Sequence, residues 1–297
     1  MADPTPEALV ADLLDLLTLK PIGEDRFEGP RKVDGIGRVF GGQVIAQALV
    51  AAQSTVGEQR PAHSLHAYFL RGGSEDHPLE IAVERVFDGG SFSNRRITAT
   101  QQGKAVLAAS VSFHKREDGP GHQAARMPDV PPPEELEAEH VLLARYWDEI
   151  ADSAPPIILR PRPVEVRAVD PGALLDRRPG PPVQHVWFKV RAPLPDDPLI
   201  HRAILAYWTD MRLMATSLLP HPLAFARGDV RGASLDHALW FHAEARVDDW
   251  LLYAMESPWS GGARGLNHGR IFTRDGRLVA SVAQEGMFRA TRDPAAR

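Results

Sequence analysis

The order of secondary structure predicted for this 297-residue chain occurs twice, and this repeat constrains the fold more than any other feature. A helix that is apolar on almost every side is predicted over Gly41–Gln53, and strand-like segments follow it from Pro61 onward. A second long helix is predicted over Pro198–Leu219, and strand-like segments follow it too. The copies share the blocks Ser64-Leu65 and Ser234-Leu235, Gly103-Lys104 and Gly276-Arg277, and Ala109-Ser110-Val111 and Ala280-Ser281-Val282. Their separations of 170, 173 and 171 residues (64 to 234, 103 to 276, 109 to 280) indicate two copies of one structural unit.

The repeated unit, one buried helix followed by strands that short turns connect, is typical of an antiparallel sheet with a helix packed on it. The sequence therefore predicts an α+β fold with an N-terminal unit over residues 1–118 and a C-terminal unit over residues 156–297. Between them, residues 119–155 are predicted to form a linker with a short helix at about 134–150. The linker prediction depends on the stretch Arg116–Glu135, which is rich in proline, glycine and charged residues.

The composition argues against several classes of function. Hydrophobic residues make up 43% of the chain and charged residues 25%, which is typical of a globular protein with a sizeable core. A net charge of -5 with no long run of Lys or Arg argues against nucleic acid as the main partner. The chain has no cysteine, so disulfides, thiolate metal sites and a cysteine nucleophile are excluded.

The same sequence predicts a cytoplasmic protein without membrane insertion. No stretch approaches the ~20 apolar residues that a membrane-spanning helix needs. The N-terminal segment carries acidic residues where a secretory signal peptide carries lysines. The absence of cysteine also suits a reducing compartment.

The glycine pair Gly41-Gly42 opens the first apolar helix, in an order that is common in phosphate-binding loops. The dinucleotide fingerprint is incomplete, because Phe40 occupies the place of the last glycine after Gly35-Ile36-Gly37. No Lys with a following Ser or Thr comes after the pair, and no βαβ order surrounds it. We therefore expect the glycines to let a strand turn tightly into the buried helix.

Two polar residues are predicted to lie on apolar faces. At about 100° per residue, Asp210 falls on the shoulder of the apolar stripe of the second long helix. The arc that holds most of that helix's charge contains His201, Arg202, Trp208, Thr209 and Arg212. Gln284 shares one face of a predicted strand with Val282 and Phe288. Because a buried polar group without partners is costly, each residue is expected to have either a structural hydrogen bond or a function.

Ser234 lies just before a predicted strand, where a serine is most often part of a turn. The surrounding sequence is not a nucleophile elbow, because Asp236 stands where a second glycine is needed, so a covalent serine mechanism is not expected. His63 and His66 are three residues apart, which on a strand directs their rings to opposite faces. That spacing suits a shared metal poorly, so no metal site is expected, and His66 is a secondary catalytic candidate.

Seven blocks along the chain resemble the type II acyl-CoA thioesterases, the TesB-like family. In order they are RVFGGQVIAQAL, HSLHAYFLRGG, DGGSFSNRR, SLDHALWFH, WLLY, ARGL and VASVAQEG. The resemblance extends from the first helix to about Arg289 and is poor only around the linker. It implies a double hotdog fold, in which each of two tandem units wraps an antiparallel sheet around a long helix. That fold agrees with the repeat.

The resemblance also implies a catalytic set, which corresponds here to Asp210, Ser234 and Gln284. The middle position is commonly Thr in the family, so Ser234 keeps the hydroxyl and loses a methyl group. The implied reaction is hydrolysis of acyl-CoA to a free fatty acid and CoA by an activated water, without a covalent intermediate, metal or cofactor. The first long helix contains no Asp or Glu, so we expect one active centre per chain, carried mainly by the second unit.

Further expectations concern the substrate and the assembly. Arg95, Arg96 and Arg264 are expected to contact the CoA phosphates, and the acyl chain is expected to lie in an apolar channel between helix and sheet. Hotdog sheets often pair edge to edge, which implies a homo-oligomer, either a dimer or a tetramer. Two alternatives are a non-catalytic acyl-CoA-binding protein on the same fold and a hotdog enoyl-CoA hydratase. The hydratase motif that pairs an acid with His is not found in the sequence.

Overall fold

The computed structural model of the chain describes residues 4–32, 37–147, 159–171, 179–223, 225 and 228–291. Its helices are α1 (Pro6–Leu17), α2 (Gly41–Gln53), α3 (Glu139–Arg145) and α4 (Pro198–Thr209), with two 3-10 segments at Pro133–Glu135 and Leu213–Leu218. Its strands are β1 (Lys20–Gly23), β2 (Arg26–Gly29), β3 (Ala62–Phe69), β4 (Leu79–Asp88), β5 (Phe92–Gln101), β6 (Lys104–His114), β7 (Val164–Ala168), β8 (Val183–Val190), β9 (Val230–Ser234), β10 (Asp236–Phe241), β11 (Leu251–Gly261), β12 (Arg264–Thr273) and β13 (Leu278–Ala290). No helix in these ranges is both long enough and apolar enough to cross a membrane.

The described strands form one antiparallel sheet that is symmetric about its centre. From one edge the order is β1-β2-β4-β5-β6-β3, and it continues as β10-β13-β12-β11-β8-β7. Corresponding strands of the two halves therefore occupy mirrored places in the order. The halves join where β3 pairs with β10, with Leu65 opposite Leu239. β9 lies off this path and pairs with β13.

Each half of the sheet has one long helix, α2 in the first half and α4 in the second. Buried side chains from both helices and both halves of the sheet form one continuous apolar core. This arrangement confirms the α+β double hotdog fold. The repeat is thus visible in the topology as well as in the sequence, while the unit boundaries at residues 118 and 155 stay a prediction.

Helix α2 is buried on nearly every side, as its composition predicts. All of its alanines are fully buried, and their small side chains let the sheet and α4 approach the helix closely. The amide of Gln47 donates to the backbone carbonyl oxygens of Leu16 at 2.7 Å and Pro30 at 2.9 Å. These bonds use the amide nitrogen of a buried side chain, and the first ties α1 to α2.

The glycine pair at the start of α2 allows two helices to touch. A Cβ built at Gly42 would lie 2.1 Å from the backbone oxygen of Tyr207 in α4, a distance that no side chain tolerates. Phe40 precedes the helix as its N-cap, and neither glycine has a positive φ. The expectation that the pair turns a strand tightly into the helix is therefore wrong, because what excludes a side chain there is the neighbouring helix.

Helix α4 is shorter than predicted. It ends at Thr209, and the chain then passes through Arg212 in a left-handed conformation, with φ at 71°, before the 3-10 segment begins. Asp210 is therefore the C-cap residue, just beyond the last residue of the helix rather than within it. The predicted charged arc contains His201, Trp208 and Thr209, but all three are buried, because α4 packs against α2 and the sheet at once.

The described part of the predicted linker packs against the second half of the sheet. The indole Nε1 of Trp187 donates to the backbone oxygen of Pro131 at 2.9 Å. Met127 and Leu136 pack on the cluster that Trp187 forms with Leu252 and Phe272. The helix expected at about 134–150 is a 3-10 turn and α3 within the described residues, and its last residues lie outside them. This segment is therefore docked rather than free.

Candidate active site

The structure brings together the three side chains that the sequence singled out. Nε2 of Gln284 donates to Oδ1 of Asp210 at 2.5 Å and to Oγ of Ser234 at 2.9 Å. Oγ of Ser234 donates to the same Oδ1 at 3.3 Å. The three residues are distant in sequence and come from the end of α4, the end of β9 and the middle of β13. An acid, a hydroxyl and an amide thus form one hydrogen-bonded group.

The carboxylate of Asp210 has a different neighbour at each oxygen. Oδ1 accepts from both Ser234 and Gln284, and these bonds fix the orientation of the group. Oδ2 faces Gly41, since a Cβ built at that glycine would lie 2.6 Å from it. Gly41 is the first residue of α2, where backbone N–H groups have no acceptor within the helix. Asp210 of the second unit therefore lies beside the N-terminus of the first unit's helix.

Strand pairing places Ser234 and Gln284 side by side. Ser234 ends β9 and lies opposite Gly286 of β13, two residues from Gln284, so their side chains share a face. Gln284 is fully buried on the inward face of β13, as its alternation pattern predicts. Asn267 lies opposite it in β12, is also fully buried, and donates from Nδ2 to the backbone oxygen of Gln284 at 3.3 Å. This amide supports the strand at the point where the site is built.

Sequence reasoning missed a second group of buried polar residues behind Asp210. The hydroxyl of Thr209 lies 3.0 Å from Nε2 of His237, and the hydroxyl of Tyr253 donates to the backbone oxygen of Thr209 at 2.8 Å. Burial lowers the pKa of His237 to about 4, an effect that the nearby carboxylate of Asp210 partly opposes. The available signal was a Thr next to Asp210 and a His three residues after Ser234.

Two aromatic hydroxyls near the carboxylate are kept protonated. Burial, together with the charge of Asp210, raises the pKa of Tyr207 to about 12. Burial, with the same carboxylate, raises the pKa of Tyr253 well above its usual value. Neither phenol is therefore a proton acceptor at neutral pH.

The three arginines expected to bind CoA phosphates lie in different environments. Arg95 is buried, and its guanidinium donates to Asp88, to Thr55 and to backbone carbonyl oxygens. The structure does not support a phosphate contact for it, because its donors are already used inside the protein. Arg96 is exposed and pairs with Glu84. Arg264 is exposed, and its Nε lies 3.0 Å from a carboxylate oxygen of Glu285, which follows Gln284.

The histidines of β3 do not join the site. His66 is exposed, so it points away from the buried face of the sheet, and its ring contacts Trp240 edge to face. His63 bonds through Nε2 to Oγ of Ser112. Within the described ranges, no group of three or more His, Asp or Glu residues is placed to hold a metal ion.

Comparison with known proteins shows the family of the chain. A family model described as acyl-CoA thioesterase matches residues 162–287, and one described as acyl-CoA thioesterase N-terminal domain matches residues 30–114. Acyl-coenzyme A thioesterase 8 of Rattus norvegicus is 40% identical over 283 residues, which are 93% of this chain and 88% of that protein. The chain belongs to the acyl-CoA thioesterase family. One model matches β3 to β6 of the first half of the sheet, and the other matches most of the second half of this thioesterase.

Relatives of this thioesterase also occur in bacteria. Acyl-CoA thioesterase 2 of Haemophilus influenzae is 36% identical over 281 residues, which are 95% of this chain and 98% of that protein. The crystal structure of acyl-CoA thioesterase II TesB2 from Mycobacterium marinum superposes with a TM-score of 0.76 at 39% identity. That match covers 93% of this chain and 97% of the other.

Proposed function

We propose that this thioesterase hydrolyses acyl-CoA by direct attack of water, with Asp210 as the general base. Membership of the family gives the reaction class, hydrolysis of the thioester to a free fatty acid and CoA. The observation that supports the proposal is the joint hydrogen bonding of Ser234 and Gln284 to one oxygen of Asp210. It leaves Oδ2 available to accept a proton from water.

The chemistry requires an activated water and a site for the charge that develops on the carbonyl oxygen. Water attacks the thioester carbon while Asp210 takes its proton. The backbone N–H groups at the start of α2, beside Oδ2, are the donors that we propose for the oxyanion. Collapse of the tetrahedral intermediate expels CoA as a thiolate. A thiol has a pKa of about 8.5, so its departure needs little help from an acid.

Ser234 and Gln284 hold both the carboxylate and the attacking water in this scheme. Each has a further capacity for hydrogen bonding: the hydroxyl oxygen of Ser234 retains a lone pair, and the buried Oε1 of Gln284 has no partner. No step requires a nucleophilic side chain or a cofactor. The non-catalytic alternative fits the chain poorly, because a binding protein has no need for a buried acid, hydroxyl and amide in contact.

A cavity whose lining is mostly apolar, with Glu58, Asp197 and Arg202 among its polar residues, marks a proposed site for the distal part of the acyl chain. It has a volume of about 450 Å³ and lies between α1, α2 and α4. Its apolar lining consists of Leu14, Leu17, Leu49, Val50, Val56, Leu199, Ile200 and Ala203. Leu199 precedes Asp210 by eleven residues, which is about 16 Å along a helix. A long acyl chain spans that distance, so we propose a preference for medium to long chains, in a cavity among helices rather than between helix and sheet.

Among the arginines, Arg264 is the one that we propose for the CoA phosphates. It lies at the start of β12, opposite Met287, on the same pair of strands as Gln284. Its guanidinium is half exposed and its ion pair with Glu285 is a surface contact, so a phosphate can compete for it. Arg264→Ala is expected to raise KM and leave kcat unchanged.

The assembly and the location of the enzyme are also proposals. Exposed apolar side chains on the first half of the sheet, among them Tyr68, Phe87 and Phe92, support a homo-oligomer, a dimer or a tetramer. Light scattering coupled to size-exclusion chromatography measures its mass. The absence of cysteine supports a reducing compartment such as the cytoplasm.

A single-turnover experiment tests whether water attacks the thioester directly. Excess enzyme is mixed with palmitoyl-CoA, the reaction is quenched at short times, and CoA and free acid are measured together. Direct attack predicts that both products appear at one rate. A lag of the free acid behind CoA would reveal an acyl-enzyme and contradict the proposal.

A further inference from the structure

Thr209, the residue before the proposed base, is held from three directions. Its hydroxyl donates to the backbone oxygen of Ala206 at 3.0 Å and lies 3.0 Å from Nε2 of His237. Its backbone oxygen accepts from the hydroxyl of Tyr253 at 2.8 Å. Thr209, His237 and Tyr253 are fully buried, so solvent does not compete for these bonds. The three contacts come from α4, β10 and β11, that is, from separate parts of the fold.

The hydrogen bond of His237 has a definite direction. With the single proton of the Thr209 hydroxyl on Ala206, the oxygen accepts from the Nε2–H of His237. Nδ1 is then a buried acceptor, and it has no hydrogen-bond partner. An unpaired buried nitrogen is unfavourable, and an apolar side chain would fill the space without it. The contact with Thr209 is therefore what the imidazole contributes at this position.

The charge states of the group fit a purely geometric role. Burial lowers the pKa of His237 to about 4, so the ring is neutral at neutral pH and is no counter-ion for Asp210. Burial raises the pKa of Tyr253 well above its usual value, so its hydroxyl keeps the proton that it donates to Thr209. A Cβ built at Gly269 would lie 2.3 Å from the Tyr253 ring, so glycine at this position makes room for the tyrosine.

The end of α4 needs such support. The last carbonyl groups of a helix have no N–H partner within it and helix ends fray. Here the helix stops at Thr209, and the chain reverses into the left-handed Arg212 three residues later. A shift of this end moves Asp210 relative to Ser234 and Gln284, which are fixed on strands.

We propose that Thr209, His237 and Tyr253 are positioning residues that fix the end of α4 and thereby aim the carboxylate of Asp210 at the attacking water. This inference rests on the proposed function of Asp210 as the general base. The three residues touch no reacting atom and act only through the backbone that carries Asp210.

Two substitutions at residue 209 test the inference. Thr209→Val removes the hydroxyl with little change of shape, and Thr209→Ser returns it. Hydrolysis of palmitoyl-CoA is followed by thiol release, with kcat, KM and Tm measured for each variant. We expect Thr209→Val to lower kcat by about tenfold or more with KM within about twofold, since small displacements of a catalytic group are costly. Thr209→Ser is expected to restore most of the turnover.

The imidazole of His237 is tested in the same way, by comparing a variant that keeps an N–H donor with one that loses it. His237→Gln keeps an N–H donor near the position of Nε2 and is expected to retain more turnover than His237→Leu. Equal kcat for Thr209→Val and Thr209→Ser would overturn the inference. If Thr209→Val does not fold, Tyr253→Phe decides, because it removes only a hydroxyl; a wild-type kcat in that variant would overturn the inference as well.

Asp210→Asn is measured alongside these variants to separate the two claims. Turnover near wild type in Asp210→Asn would show that the proposed base is wrong. Loss of turnover in Asp210→Asn together with a wild-type kcat in Thr209→Val would show that only the positioning role is wrong. Loss of turnover in both, with Thr209→Val folded and Thr209→Ser active, is the expected result.

Discussion

Gly41 and Asp210 lie so close that a Cβ at the glycine would be 2.6 Å from Oδ2 of the carboxylate. The two residues belong to different units of the chain, one at the start of α2 and the other at the end of α4. The site therefore depends on both units, although its three polar side chains come from the second. The same Cβ would lie 3.0 Å from the ring of Phe69, so the glycine has space on neither side.

Gly41→Ala is expected to lower kcat by about tenfold or more, because the new methyl group displaces the carboxylate that we assign as the base. Alanine is a better helix former than glycine, so a loss of helical propensity is not the cause. Thiol release from palmitoyl-CoA gives kcat, and thermal unfolding gives Tm. Gly119→Ala is the matched control, since the glycine is exposed and a Cβ there has no atom within 4 Å. Equal kcat in the two variants would show that the contact has no bearing on catalysis.

The neighbouring arginines of β5 are expected to differ sharply in stability. Arg95→Met leaves several buried or half-buried acceptors without a donor, including the backbone oxygen of Thr55, and is expected to cost at least about 2 kcal/mol. Arg96→Met removes only an exposed ion pair with Glu84 and is expected to change the free energy of unfolding by less than about 0.5 kcal/mol. Urea denaturation measures both. Similar values for the two variants would contradict the structural role of Arg95.

The buried imidazole makes stability depend on pH. The pKa of His237 is about 4 in the folded state and about 6.5 when exposed, so the unfolded state binds the proton more readily between these values. Its contribution to stability is therefore present above pH 6.5 and is lost as the pH falls toward 4. Between pH 7 and pH 5 the loss is about 2 kcal/mol.

His237→Gln removes this titration and leaves the other histidines in place. Urea denaturation of wild type and variant at pH 7 and pH 5 isolates the contribution. The free energy of unfolding of the wild type is expected to fall more steeply than that of the variant. Parallel pH dependence of the two proteins would show that His237 is not buried in its neutral form.

The cavity between α1, α2 and α4 is expected to determine the preferred chain length. Val50 lines it and is only partly buried, so Val50→Trp fills the space without entering the tightly packed core. We expect kcat/KM for palmitoyl-CoA to fall by about tenfold or more, since losing the burial of several methylene groups has that effect. The value for hexanoyl-CoA is expected to change little. Val141→Trp, at an exposed position of α3, is the control, and equal losses for both substrates would place the acyl chain elsewhere.

Much of the fold could be predicted because each copy of the repeat has its own local pattern of apolar and polar residues. The apolar helix α2 and the alternation around Gln284 both encode which side chains are buried, and the order of elements encodes the antiparallel sheet. The alternation of β5 also held a signal for Arg95, which shares a face with Ile97. The alternation of β5 favours a buried Arg95, whereas the charge of an arginine favours an exposed position.

The parts that could not be predicted depend on contacts between distant segments. The end of α4 at Thr209 follows from a left-handed Arg212, a residue type that gives no warning of a positive φ. The role of Gly41 depends on Asp210, which is remote in sequence and belongs to the other unit. The periodicity of apolar residues describes one helix or strand at a time, so it cannot show which helix lies beside a glycine.

The most direct test of the central claim is the turnover of Asp210→Asn. The amide preserves the shape of the side chain and removes its ability to take a proton, and Asp196→Asn, at a fully exposed position, is the matched control. Thiol release from palmitoyl-CoA is measured for both variants and wild type at neutral pH. If Asp210 is the general base, kcat of Asp210→Asn falls by about 10²-fold or more while the control matches wild type. A folded Asp210→Asn variant with a kcat near that of wild type would contradict the account.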